Sequence, residues 1–176
     1  MPRVKQTART HAPPGCDLDP ALTVVGVDPG NTTALAVVRD GVMVSHALVD
    51  TGGCIFEGIC ALCDVLDGLR PGALIVERQF VQARMVSIEA AVIAYGRARK
   101  IRVVRHSPRD LHAITRPVGA GHVANKRASV ALARRLWGGA NSETEKQIAG
   151  SRKHDVMEAF LMGMLHTGML AGVEKE

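Results

Sequence analysis

The sequence predicts an α/β fold: a mixed five-stranded sheet, three antiparallel strands then two parallel, flanked by helices. Three observations carry this. Three consecutive apolar runs between Leu22 and Val49 are each closed by turn residues. The runs that follow alternate between short β-rich stretches and longer helix-periodic ones. Hydrophobic residues make up 47% of the 176 residues, enough for a packed core in a chain of one-domain length.

The strands come first. Leu22 to Asp28 is an apolar run ending in Asp-Pro-Gly, and Ala34 to Arg39 is a second strand. Asp40-Gly41 is a two-residue hairpin signal, which makes Val42 to Val49 the antiparallel third strand. Ala73 to Glu77 and Ile101 to Arg105 are the fourth and fifth, separated by helical segments, and so expected parallel.

The helices follow from period and caps. Residues 54–68 and 85–100 carry apolar positions at helical spacing. Ser107-Pro108-x-Asp110 reads as N-cap, first-turn proline and first-turn acid of a short helix reaching about Ile114. After a Gly/Pro-rich loop from Arg116 to Ala124, Asn125 is expected to cap a helix through Trp137. Ser142-x-x-Glu145 is a capping box in a polar stretch. The last helix runs from Lys153 to Leu170, with an apolar stripe at Val156, Phe160 and Met164.

Residues 1–20 hold Arg3, Lys5, Arg9 and four prolines with little that is apolar, and are read as a flexible basic tail. Residues 21–172 are read as a single domain. The tail lacks the apolar centre of a secretory signal. No run approaches the ~18 apolar residues of a membrane span, so no membrane is expected among the partners. Cys16, Cys54, Cys60 and Cys63 include one CxxC, without a second or a histidine pair at zinc spacing. They are read as small buried hydrophobes of a reducing intracellular compartment.

Charge is distributed unevenly. Residues 78–135 contain 13 Lys and Arg and two acids, Glu89 and Asp110, for a net +11. The remainder carries −6, giving +5 overall. Such a segment complements a phosphate backbone. Aromatics at 3% exclude a binder built on base-stacking platforms.

Four acids occupy distinctive places. Asp28 ends the first strand, Glu77 ends the fourth, and Asp155 and Glu158 stand at i and i+3 on the last helix. Side chains three apart on a helix are neighbours, roughly 5–6 Å between Cβ atoms. Parallel pairing of the first and fourth strands brings Asp28 beside Glu77, at the strand ends where α/β sheets place their sites. Taken singly, each acid reads as a turn residue, a surface ion pair or a complement to the helix dipole. Taken together, four carboxylates repel unless a cation neutralises them. Two Mg²⁺ ions fit that role, since Mg²⁺ takes hard oxygen ligands and ion pairs ~3.5–4 Å apart serve phosphodiester displacement.

Around this group lie Arg78 and Arg84 after Glu77, Arg109 and Arg116 flanking the short helix, and Lys126 and Arg127 at the start of the next helix. All six are candidate phosphate contacts. Phe80 is read either as a wedge for a bent duplex or as core, and His154 as an ordinary helix-start residue.

The chain resembles the RNase H-like resolvases that cut Holliday junctions, of the RuvC type and its poxvirus-type and organellar relatives. The resemblance rests on Val25-Gly-Val-Asp-Pro-Gly-Asn-Thr-Thr-Ala-Leu-Ala, Val76-Glu-Arg-Gln-Phe, Ile88-Glu-Ala-Ala-Val-Ile-Ala-Tyr, Ser107-Pro108 and Lys153-His-Asp-Val-Met-Glu-Ala-Phe-Leu-Met-Gly. It implies an RNase H-like fold over roughly residues 22–170. It also implies Asp28, Glu77, Asp155 and Glu158 as metal ligands and catalytic residues, with Mg²⁺ or Mn²⁺. Paired symmetric cuts in four-way DNA by a homodimer follow from the same likeness. The face of residues 85–100 is the expected dimer contact. One departure is that the family usually has Asp where this chain has Glu158. Two other readings stand beside this one: an RNase H-fold nuclease for RNA or other branched DNA, and a junction-binding protein without catalysis.

Overall fold

The computed structural model describes residues 23–115, 121–136 and 153–166. The predicted tail, Cys16, Arg116, the Ser142-x-x-Glu145 box and the end of the last helix beyond residue 166 lie outside the described residues.

Five strands, β1 Val24–Asp28, β2 Thr32–Arg39, β3 Val42–Asp50, β4 Ala73–Glu77 and β5 Arg102–His106, form one sheet in the order β3-β2-β1-β4-β5. β1 pairs antiparallel with β2, and β2 with β3. β1 pairs parallel with β4, and β4 with β5. This is the predicted mixed sheet, in an RNase H-like α/β arrangement. The β2–β3 turn has Asp40 at φ 49° and Gly41 at φ 76°. Two successive positive φ values are what a primed hairpin turn requires, and Asp-Gly supplies them at low cost.

Helices α1 Ile55–Leu69 and α2 Ala83–Arg99 cover one face of the sheet. Their Leu62, Leu66, Ile88 and Val92 pack on Val25, Val27, Leu35, Leu74 and Val76. Helices α3 Pro108–Thr115, α4 His122–Leu136 and α5 Lys153–His166 are associated with the other face. The strands are five to nine residues long, and most of β1, β2 and β4 is buried on both faces. That explains why their sequences read as continuous apolar runs.

α5 lies directly on the sheet. Val156, Met157, Phe160, Leu161 and Met162 are all buried. Its approach is set by glycine, because a Cβ on Gly26 of β1 would stand 1.8 Å from the Ala159 carbonyl oxygen. No side chain fits there, so the backbones meet and the helix start is drawn over the end of β1.

Three expectations change. α4 starts at His122, not after Asn125: the Asn125 N–H donates to the Gly121 carbonyl (3.2 Å), a bond of the first turn. Lys126 and Arg127 therefore stand one turn inside the helix. Cys54 and Cys60 are exposed and Cys63 is half-buried, rather than core. α1 buries the row Gly58, Leu62 and Leu66, and Cys60 lies on the opposite side. Phe80 is 60% exposed, so it is not a core residue.

Candidate metal centre

The strand ends are arranged by register. Val27 of β1 pairs with Val76 of β4, so the next residues, Asp28 and Glu77, follow side by side. Val25, Val27, Leu74 and Val76 face α1 and α2. By alternation, Asp28 and Glu77 face α5. Asp155 and Glu158 sit in the first two turns of that helix.

One carboxylate oxygen each from Asp28, Asp155 and Glu158 lie within 4.8 Å of one another. Glu77 is a neighbour rather than a member of this trio. Its carboxylate accepts a hydrogen bond from the Gln79 side-chain amide (2.9 Å), and its charge still acts on Asp28 and Glu158. The sequence pattern therefore locates all four acids at one end of the sheet, and the structure brings three into mutual ligand distance.

Burial and mutual repulsion both act on the cluster. Burial, then the charges of Glu77, Glu158 and Asp155, push Asp28 well above the ordinary carboxylate range, against the opposing pull of Lys126. Burial and then Glu77 push Glu158 up to about 7. Burial also raises Glu77, opposed by its bond from Gln79. The donors are all hard carboxylate oxygens, two of them fixed by i,i+3 spacing on one helix. That set fits a small divalent cation such as Mg²⁺.

Among the described residues, Lys126 of α4 is the cation that opposes these shifts in Asp28 and Glu158. Lys126 Nζ lies 3.8 Å from Asp155 and also contacts the His154 ring. His154 Nε2 lies 2.7 Å from the Asp155 carboxylate, so this residue belongs to the site rather than merely opening the helix. Beside them, Lys126, Arg127, Val130, Ala131, Arg134 and His154 line an open cleft of about 340 Å³.

The other predicted basic residues divide by environment. Arg78 is exposed and its guanidinium stacks 4.8 Å from the Phe80 ring centre. Arg109 is exposed on α3. Arg84 is half-buried and donates to the carbonyls of Thr51 (2.6 Å) and Gly53 (2.9 Å). Thr51 in turn donates its N–H to Asn31 (2.9 Å) and its hydroxyl to Gly30, so Arg84 braces the turn that carries Asp28.

Gln79, Ser129 and Arg134 were missed by sequence reasoning. Ser129 is buried on α4. Only Arg134 carried a signal, as a further cation four positions from Val130 on the same helix side.

The architecture is shared with solved resolvases. The structure of Thermus thermophilus RuvC in complex with a Holliday junction substrate matches with a TM-score of 0.62 at 19% identity, over 87% of this chain and 98% of that one. The fowlpox virus resolvase, in complex with Holliday junction DNA, matches with a TM-score of 0.67 at 14% identity, over 84% and 98%. At these identities the likeness establishes a common fold. No protein-family model and no curated protein matches the sequence.

Proposed function

We propose that this chain is a metal-dependent endonuclease that resolves four-way DNA junctions by paired, symmetric phosphodiester hydrolysis. The observation that carries the reading is the convergence of Asp28, Asp155 and Glu158 beside a basic cleft, on a fold shared with junction-bound resolvases. Asp28, Asp155 and Glu158 would hold a divalent ion directly, and Glu77, whose charge acts on Glu158, would contribute to a second site. Two Mg²⁺ ions, with Mn²⁺ as substitute, would supply Lewis-acid stabilisation of charge developing on the phosphodiester oxygens.

The chain's own residues have separable tasks in this reading. Lys126 and His154 hold Asp155 from the side facing the cleft. Arg127 and Arg134 line that cleft and take phosphates of the cut strand. Arg78 and Arg109, both exposed, would reach the arms, and Arg116 is given the same task on its sequence position alone. Such contacts hold register and shape rather than read sequence. Arg84 acts from behind, keeping the Asp28 turn in place. Two symmetric cuts need two active sites, so the working unit is a homodimer, formed through the outer face of α2.

The test is a synthetic four-way junction with Mg²⁺. Paired nicks at symmetric positions are expected, lost in Asp28→Asn. An RNA–DNA hybrid and a flap substrate run beside it. Cleavage confined to those two would move the assignment to another RNase H-fold nuclease. Junction binding without cutting in any divalent ion would make this an architectural protein.

A further inference from the structure

Glu89 is a buried acid for which the proposed chemistry has no direct use. It sits on α2 among the residues that face the sheet, between Ile88 and Val92, and is 2% exposed. A carboxylate there is expensive unless its oxygens are satisfied. Both are. Oε1 accepts from Arg105 Nε of β5 (2.6 Å), and Oε2 accepts from the backbone N–H of Gln79 (2.8 Å).

The second bond has a consequence at the metal centre. Gln79 follows Glu77 by two residues, where the chain has left β4 and turns toward α2. Its N–H points to Glu89 on the α2 side of the sheet. Its side-chain amide donates to Glu77 Oε2, 2.9 Å away. Glu77 faces the opposite side, toward α5. Gln79 thus spans the end of the sheet and ties a buried anchor on one face to a carboxylate on the other. The anchor is rigid, because α2 is packed through Ile88 and Val92 and β5 holds Arg105 in register with Val76.

We propose that Glu89 is a positioning residue for the metal centre, fixing the Gln79 backbone so that the Gln79 amide aims the Glu77 carboxylate at Asp28, Asp155 and Glu158. This rests on the reading of those acids as a metal site, and not on the identity of the nucleic acid. Partners that orient a metal ligand from outside are worth 10–100-fold in metal affinity when lost.

Mn²⁺ affinity of the full chain, measured by calorimetry without nucleic acid, is the deciding quantity. Glu89→Gln loses one of the two acceptor positions, and Gln79→Leu removes the amide while keeping the backbone N–H. Each is expected to weaken Mn²⁺ by about tenfold. The double variant is expected within about twofold of the weaker single, because both changes cut one relay. Tyr95→Phe on the same helix is the control: its hydroxyl bonds Asp67 (2.7 Å), away from the relay, so it is expected to lower stability and leave Mn²⁺ affinity unchanged.

Unchanged affinity in Gln79→Leu overturns the proposal, and that arm stands even if Glu89→Gln fails to fold. Full additivity in the double variant, or an equal loss in Tyr95→Phe, overturns it as well by reducing Glu89 to a fold-stabilising residue. A wild-type chain that binds no Mn²⁺ refutes the metal-site reading itself and the proposal with it. Mn²⁺ binding with the expected pattern but no junction cleavage refutes only the choice of substrate.

Discussion

The two faces of the sheet bury acids in opposite ways. On the α1/α2 face, Glu89 is the buried acid, and each of its oxygens has a donor. On the α5 face, Asp28, Asp155 and Glu158 crowd within 4.8 Å with Glu77 nearby, and the cation acting on Asp28 and Glu158 is Lys126. The first arrangement is complete as it stands. The second is buried and crowded with like charge, and Asp28 and Glu158 carry raised proton affinity as a result. A buried acid that is paired is stable where it stands; buried acids crowded together carry a cost that a cation would relieve.

The sharpest way to break this contrast is to remove a charge from the crowded face. Asp28→Asn is expected to lower metal-dependent cleavage by about a thousandfold, equivalent to roughly 4 kcal/mol of transition-state stabilisation. The same change should raise the melting temperature of the metal-free protein at pH 8, since one mutually repelling group is gone. A fall in that melting temperature would count against crowding.

The next largest effect tests how the crowded face is assembled. A methyl group on Gly26 meets the Ala159 carbonyl at 1.8 Å, whereas one on Gly53 meets nothing within 4 Å. Gly26→Ala is expected to cost about 3 kcal/mol or more, as over-packing against backbone does, and to weaken Mg²⁺ binding by displacing α5. Gly53→Ala should be close to neutral. Denaturant midpoints of the two variants check the difference.

A third measurement uses pH. Glu158 keeps its proton to about pH 7 in the folded chain, against 4.5 for an ordinary glutamate. A pKa raised by folding gives stability that is full below about 4.5 and is lost as pH rises through about 7. Asp28 shifts in the same direction. In EDTA, the melting temperature should therefore fall by about 3 °C or more between pH 5 and pH 8. Mg²⁺ should reverse the fall at pH 8, and Glu158→Gln should flatten it. A metal-free melting temperature that rises across this range would contradict the assignment.

The smallest effect belongs to the satisfied face. Tyr95→Phe removes the hydroxyl bonded to Asp67, which also pairs with Arg99 at 2.8 Å. A loss of about 1 kcal/mol is expected, measured by chemical denaturation, with no change in pH dependence between 5 and 8.

Much of the fold was legible because its signals are local. Asp40-Gly41 announces its hairpin. Ser107 and Asp110 announce α3, where Ser107 Oγ accepts from the Arg109 N–H (3.1 Å) and Asp110 accepts from the Ser107 N–H (2.8 Å). The site acids were legible for a related reason: strand ends and i,i+3 spacing are short-range geometry. Reading failed where phase or boundary mattered. Cys60 lies on the wrong side of α1 to be core, although the row Gly58, Leu62 and Leu66 was there to be followed. Asn125 resembles a cap, but His122 to Ala124 are already helical.

The same division holds for the basic segment. Its +11 was readable by counting, and so was the oddity of its two acids. Their meaning was not. Asp110 serves its own helix end, three residues from Ser107. Glu89 serves Gln79 and Arg105, ten and sixteen residues away. Sequence alone determined the order of elements, the hairpin, and the four acids gathered at one end of the sheet, because those follow from backbone periodicity and near-neighbour spacing. Tertiary structure decided that three of the four acids meet, that Arg84 braces a turn, and that a buried glutamate reaches the site through Gln79. Those outcomes depend on which helix lies on which face and how closely Gly26 lets α5 approach, and packing of distant segments sets both.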